Sequence, residues 1–230
     1  MGNAVLITRP QPRATDTAER VAALGYRPII TPVLEIRRLE AILPPDAGAI
    51  LLTSGNAVPS LPTWASNRPI LAVGDATAAM ARQAGFPHVT SADGDARALA
   101  AATRRLVPPG APLLLLSGRD QGTDLAASLT RSGWPVIRSE VYDAHPAAAL
   151  PPDATTALHA GTVRAALFFS ARTAGCFVNL VFAAKLADTL AHTDACAIGA
   201  PAAMALQSLP WRQIRTAARP TQDALLALLS

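Results

Sequence analysis

The residues best placed for chemistry in this chain are hydroxyls, glycines and arginines that stand where an apolar run stops. Six stretches share the pattern: Thr8-Arg9-Pro10, Thr53-Ser54-Gly55-Asn56, Gly74-Asp75-Ala76-Thr77, Ser117-Gly118-Arg119, Ser170-Ala171-Arg172 and Gly199-Ala200-Pro201. At the carboxyl end of a parallel strand, such residues lie beside the start of the next helix. The first backbone N–H groups there have no helical partner, and the helix dipole is positive. The chemistry on offer is therefore the binding of carboxylates or phosphates. Each Ser, Thr or Asp taken singly has a plainer use, as an N-cap worth ~1 kcal/mol to its helix. The recurrence of the pattern points to a binding surface made from part of the set.

Other chemistries find little support. His88, His145, His159 and His192 are scattered without metal-ligand spacing. The chain has no GxGxxG, P-loop or GxSxG motif, and no hydroxyl, base and acid set for a nucleophilic triad.

The elements that must position these edges are short β-like runs alternating with Ala-rich helical stretches. Strands are predicted at 4–8, 28–36, 48–54, 69–74, 112–117, 135–142, 165–170 and 195–199. Helical spacing covers 15–25, 76–85, 95–106, 123–133, 177–190 and 221–230, with Gly25, Gly85 and Gly133 placed as left-handed stops. Continuous apolar strands between helices predict an α/β fold with parallel sheets covered on both faces.

The chain also repeats itself. The stretch from "VLITRP" to "PVLEI" resembles the stretch from "LLLLSGRD" to "VYDA": strand, Arg9 or Arg119, helix, Gly, an aromatic (Tyr26 or Trp134), strand. The stretch "AILLTSGNAV…AVGDATAAMARQAGF" resembles "AALFFSARTAG…AIGAPAAMALQSLPW", and each is followed by a helix. The order is short unit, long unit, short unit, long unit. Either consecutive units pair into domains, or the middle two form one domain and the outer two the other.

Composition narrows the class. The chain has 230 residues, 50% hydrophobic and 16% charged, enough to bury a core in one large or two small domains. A net charge of +4 suits an anionic small molecule, and no Lys/Arg stripe of the nucleic-acid-binding kind is present. No run approaches the ~18–20 apolar residues of a membrane span. The N-terminus lacks the basic and apolar regions of a signal peptide, and Cys176 and Cys196 have no CxxC spacing. These features predict a cytoplasmic protein with two buried, reduced thiols.

The ordered set "VLITRP", "TSGNAV", "AVGDATA", "SEVYDA", "FFSARTAG", "AIGAPAA" and "AARPTQDALLALL" resembles the uroporphyrinogen-III synthase family over nearly the whole chain. The resemblance implies two similar α/β domains, residues 1–36 with 146–230 and residues 37–145, joined by a two-stranded linker with a ligand cleft between them. It implies a lyase that closes hydroxymethylbilane, a linear polycarboxylate tetrapyrrole, into uroporphyrinogen III. Water is lost and ring D is inverted by way of an azafulvene and a spiro intermediate. No cofactor, metal, nucleic acid or membrane enters that expectation, and a monomer is expected. Tyr142 in "SEVYDA" matches the family's proposed acid. Thr8, Arg9, Thr53, Ser54, Asn56, Thr77, Ser170, Ala171, Arg172, Gly199, Ala200 and Ala202 match its substrate-facing edges. Position 202 departs from the family's frequent Thr, so only main-chain donors remain there. The rival reading is a non-catalytic sensor that keeps the same two domains to bind a tetrapyrrole or another polyanion.

Overall fold

In this computed structural model, which describes residues 2–230, the chain opens with β1 (Ala4–Ile7), α1 (Arg13–Ala23), β2 (Arg27–Ile30) and β3 (Leu34–Arg38). It continues through β4 (Ala49–Leu52), 3-10 turns at Gly55–Ser60 and Thr63–Asn67, β5 (Ile70–Ala72), α2 (Asp75–Gln83), β6 (Val89–Ser91) and α3 (Ala96–Leu106). Next come β7 (Leu113–Gly118), α4 (Thr123–Arg131), β8 (Val136–Pro146) and α5 (Pro152–His159). The last part holds β9 (Val163–Phe168), α6 (Ala171–Ala183), a 3-10 turn at Ala187–Leu190, β10 (Asp194–Ala197), α7 (Ala200–Ala205), β11 (Gln213–Thr216) and α8 (Gln222–Leu226).

These elements form two compact units, Met1–Glu35 with His145–Ser230, and Ile36–Ala144. The first holds a parallel five-stranded sheet in the order β11-β10-β9-β1-β2. The second holds a six-stranded sheet in the order β3-β8-β7-β4-β5-β6, with β4 to β8 mutually parallel. The chain passes from one unit to the other inside β3 and again inside β8. These two strands are neighbours. Leu39 N–H donates to Val141 O and Ala147 N–H to Val33 O, so numbers rise along one strand as they fall along the other, and the pair is antiparallel.

The internal repeat becomes a topological identity. Within each unit the sheet reads second strand of the short repeat, first strand of the short repeat, then the strands of the long repeat in order. That is β2-β1-β9-β10-β11 in one unit and β8-β7-β4-β5-β6 in the other. The second unit is a circular permutation of the first. In both, the strand order reverses between the first strand of the short repeat and the first strand of the long one. In an open parallel sheet, the carboxyl end of that reversal is where ligands bind.

Both sheets are covered on both faces, which is why their strands are apolar throughout rather than alternating. Leu6, Ala166 and Phe168 pack under Leu158, Phe177 and Val181, while Val5, Ile7 and Leu167 face Val21 and Leu225. Phe168 meets Phe177 edge-on at 5.2 Å and Trp211 at 5.8 Å. In the second unit Ile50, Leu52, Leu114 and Leu116 lie on one face, and Ala49, Leu51, Leu113 and Leu115 on the other. Gly25, Gly85 and Gly133 close α1, α2 and α4 with φ of +85°, +93° and +97°, a region where a side chain is strained.

Several expected elements differ. The single strand expected over 28–36 is two: Thr31 and Val33 N–H still donate to Ile7 O and Thr8 O at the end of β1, and from Leu34 the chain continues as β3 beside β8 in the other sheet. The helix expected at 177–190 begins earlier, at Ala171, and stops at Ala183; Lys185 then turns with φ +56°. The apolar run 48–54 leads into a 3-10 turn carrying Pro59, not an α-helix. Strands β6 and β11 and helices α5 and α7 lie outside the elements that spacing predicts.

Candidate anion-binding strand ends

In the first unit the edges after β1, β9 and β10 stand side by side at the carboxyl end of the sheet, with β1 and β9 flanking the reversal. Thr8 is fully buried, and its hydroxyl donates to Leu167 O at 2.7 Å, tying the two flanking strands together. Arg9 is also buried. Its guanidinium donates to Gln222 Oε1 at 2.8 Å and to Thr17 Oγ1 at 3.3 Å and lies 4.1 Å over the Phe169 ring. Burial, then the neighbouring Arg13, push it down to about 9, so it remains a cation at neutral pH. Thr8 and Arg9 are thus committed within the unit. At the next edge Ser170 Oγ accepts from Thr173 N–H at 3.1 Å and caps α6. Ala171 and Arg172 follow it on the first turn and are exposed. Gly199 opens α7 with no side-chain cap, Ala200 is exposed, and Ala202 is buried. Because the Ala202 N–H donates to Gly199 O at 3.1 Å and Pro201 has none, the main-chain donors of this edge narrow to Gly199 and Ala200.

In the second unit the edges after β4, β5 and β7 are likewise adjacent. Leu52 pairs with Leu116, so Thr53 and Ser117 succeed them side by side at the reversal. Their hydroxyl oxygens, Thr53 Oγ1 and Ser117 Oγ, are buried without a hydrogen-bond partner. Such groups are rare in folded proteins, and each calls for a partner, such as a water, an ion or a ligand. Ser54 Oγ accepts from Asn56 N–H at 3.3 Å, opening the 3-10 turn. Gly74 starts α2 with no side-chain cap, and Thr77 is buried in the first turn.

Tyr142 reaches the same carboxyl edge from β8, opposite Gly118 of β7 across a register shift. It is 2% exposed, packs with Leu114, Leu116 and Ala57, and donates its hydroxyl to Gln121 Oε1 at 3.2 Å. The β7–α4 loop that carries Gln121 is fastened to β8. Arg119 N–H donates to Tyr142 O at 2.8 Å, and the Arg119 guanidinium pairs with Asp143 at 2.8 Å. Arg138 donates to Gln121 O and to Glu140, each at 2.9 Å. Asp120 N–H donates to Glu140 Oε1 at 3.2 Å, and this bond and Arg138 hold the Glu140 carboxyl below its usual range. Sequence reasoning misses Gln121. The one available signal is Gln11, which stands at the same offset from Arg9 in the first repeat. Gln11 has a different use, accepting from the Thr15 hydroxyl at 3.0 Å.

Thr53, Ser54, Asn56, Thr77 and Tyr142 therefore share one sheet edge, and Thr8, Arg9, Ser170, Ala171, Arg172, Gly199, Ala200 and Ala202 share another. Among the described residues, no three His, Cys, Asp or Glu side chains gather as metal ligands, and no helix is long and apolar enough to cross a membrane. Cys196 is buried and Cys176 half-buried, both as free thiols.

A protein of two doubly wound α/β units, one a permutation of the other, with hydroxyl-lined strand ends, is the class these observations define. The chain belongs to the uroporphyrinogen-III synthase HemD family, whose sequence profile matches residues 15–227. Its fold is that of the uroporphyrinogen-III synthetase of Helicobacter pylori, with a TM-score of 0.65 at 20% identity over 99% of this chain and 98% of that one. A mutant uroporphyrinogen III synthase from Thermus thermophilus also matches, at 20% identity and a TM-score of 0.49 over 98% and 95% of the two chains. No curated protein sequence is significantly similar.

Proposed function

We propose that the chain is a uroporphyrinogen-III synthase that cyclises hydroxymethylbilane with loss of water and inversion of ring D. Family membership supports the tetrapyrrole substrate. The observation that carries the reading in this chain is the Thr53–Ser117 edge at the strand reversal, with Tyr142 on a strand of the same sheet. The strand-end hydroxyls and helix-start amides of either unit suit the substrate's carboxylates: Thr53, Ser54, Asn56 and Thr77 in one, Ser170, Ala171, Arg172, Gly199 and Ala200 in the other. Arg172 is exposed at a helix start and suits a carboxylate. Thr8 and Arg9 act behind the surface by fixing β1 against β9 and α8.

Departure of the substrate hydroxyl requires a proton, and a phenol is protonated at neutral pH and able to donate. Tyr142 fills that role. Much of the remaining catalysis is positional: the bilane is held so that ring D is attacked through its substituted carbon before simple closure occurs.

The test is a coupled assay. Hydroxymethylbilane is supplied, and the type III and type I isomers are separated after oxidation to the porphyrins. Type III in excess is the expected result; type I alone rejects the activity.

A further inference from the structure

We infer that Gln121 is the positioning residue for Tyr142, serving the phenol with its amide oxygen and the phenolate with its amide nitrogen. The inference rests on the acid role proposed above and extends it to a residue outside the matched edges. In the structure the Tyr142 hydroxyl donates to Gln121 Oε1 at 3.2 Å, and the backbone carbonyl of Gln121 is held by Arg138 at 2.9 Å. The loop is also pinned to β8 just before Gln121, through Arg119 N–H to Tyr142 O and through Asp120 N–H to Glu140. The main chain at the contact is therefore fixed, and the proposed role requires only the side-chain amide to turn.

That turn matches what the chemistry needs. In the acid step the Tyr142 O–H turns from Gln121 Oε1 to the substrate, its bond breaks, and its proton goes to the hydroxymethyl oxygen. The carbon–oxygen bond then breaks, its electron pair leaves with the oxygen as water, and a cationic azafulvene and a phenolate remain. The phenolate needs a donor where the phenol needed an acceptor. A primary amide carries both, and rotation about its last torsion exchanges them. Closure of the ring releases a proton from the carbon framework and restores the phenol, so the amide turns back. Hydrogen bonds to charged groups are stronger than those between neutral ones, so the larger share of the stabilisation falls in the ionised state.

Two substitutions separate this role from simple packing. Gln121→Met keeps the length and offers neither function. Gln121→Glu keeps the shape and the acceptor but has no N–H, and its carboxylate opposes a phenolate. Steady-state kinetics on hydroxymethylbilane are expected to show kcat lowered roughly tenfold by Gln121→Met and roughly a hundredfold by Gln121→Glu, with KM little changed. In a Tyr142→Phe background neither change has a further effect. Gln121→Glu as active as wild type, or losses that add to that of Tyr142→Phe, overturn the inference while leaving the synthase reading intact. A wild-type chain that yields only type I product overturns the synthase reading itself. An independent measurement needs no substrate. With Tyr26→Phe leaving Tyr142 as the only tyrosine, the ultraviolet resonance Raman tyrosine doublet is expected to report a hydrogen-bond donor, and Gln121→Met to abolish that signature. A doublet unchanged by Gln121→Met also overturns the inference.

Discussion

The ring of Tyr142 crosses Gly118 so closely that a Cβ at position 118 would lie 2.7 Å from both Cε2 and Cζ. Gly118 ends β7, pairs with Tyr142 in the sheet, and is buried. A methyl group there must displace a rigid ring held in a packed core. Gly118→Ala is expected to lower stability by about 1–3 kcal/mol, as overpacking does, and to lower Tm accordingly. It is also expected to depress turnover beyond that loss, because the hydroxyl moves with the ring. Thermal unfolding and the isomer assay on the same preparation check both effects; unchanged turnover removes the ring position from the mechanism.

Asp194 begins β10 with 2% exposure and collects donors from three side chains: Arg164 at 3.0 Å, Gln213 at 3.1 Å, and Arg212 through both oxygens. These residues join the amino-terminal ends of β9, β10 and β11, opposite the strand ends proposed to bind substrate. Removing one partner of such a cluster leaves buried charge uncompensated. Asp194→Ala is expected to cost about 3 kcal/mol, near the low end for buried pairs because both arginines are partly exposed. Urea unfolding measures it. The denaturation midpoint falls, and the type III to type I ratio of the folded fraction stays as in wild type.

Much of this architecture was legible because local physics set it. The glycine stops at Gly25, Gly85 and Gly133 need no tertiary contact, and the apolar strands read continuously because both sheet faces are covered. The short-long-short-long repeat, too, is visible as spacing. What stayed hidden depends on contacts distant in sequence. Thr8 and Arg9 read as ligand groups, yet Thr8 is taken by Leu167 and Arg9 by Gln222, more than a hundred residues away. The Tyr142–Gln121 bond likewise joins residues with no shared pattern. Strands β6 and β11 are short edge strands with polar residues, so periodicity gives them no signal. The division of 28–36 into β2 and β3 was hidden because it is set by a change of partner, from β1 to β8, which lies far off in the chain.

The two thiols separate by burial. Desolvation pushes Cys196 up to about 12, and it raises Cys176 against the opposing pull of Arg172. The unfolded Cys196 thiol ionises near its ordinary value of 9.0 while the folded one keeps its proton. Stability is therefore full below that value and declines as pH rises from it toward the folded value, by about 1.4 kcal/mol per pH unit from this group. Cys196→Ala is expected to remove that share of the slope, read as urea midpoints on either side of pH 9.0. A thiol reagent at neutral pH is expected to find Cys176 slowly and Cys196 only after unfolding.

Two glycines give opposite outcomes for the same substitution. Gly133 stands at φ +97° after α4, and an added Cβ would meet nothing within 4 Å, so crowding plays no part. Gly133→Ala is expected to destabilise by about 1–2 kcal/mol through backbone strain alone. Gly175 lies inside α6 in ordinary helical geometry, and a Cβ there also meets nothing within 4 Å. Its present cost is the freedom of the unfolded chain and the weak helix propensity of glycine, about 0.5–1 kcal/mol relative to alanine. Gly175→Ala is therefore expected to raise stability by that amount. Paired urea titrations with a common m-value decide it: equal signs for the two variants would show that backbone conformation does not set the outcome at these positions.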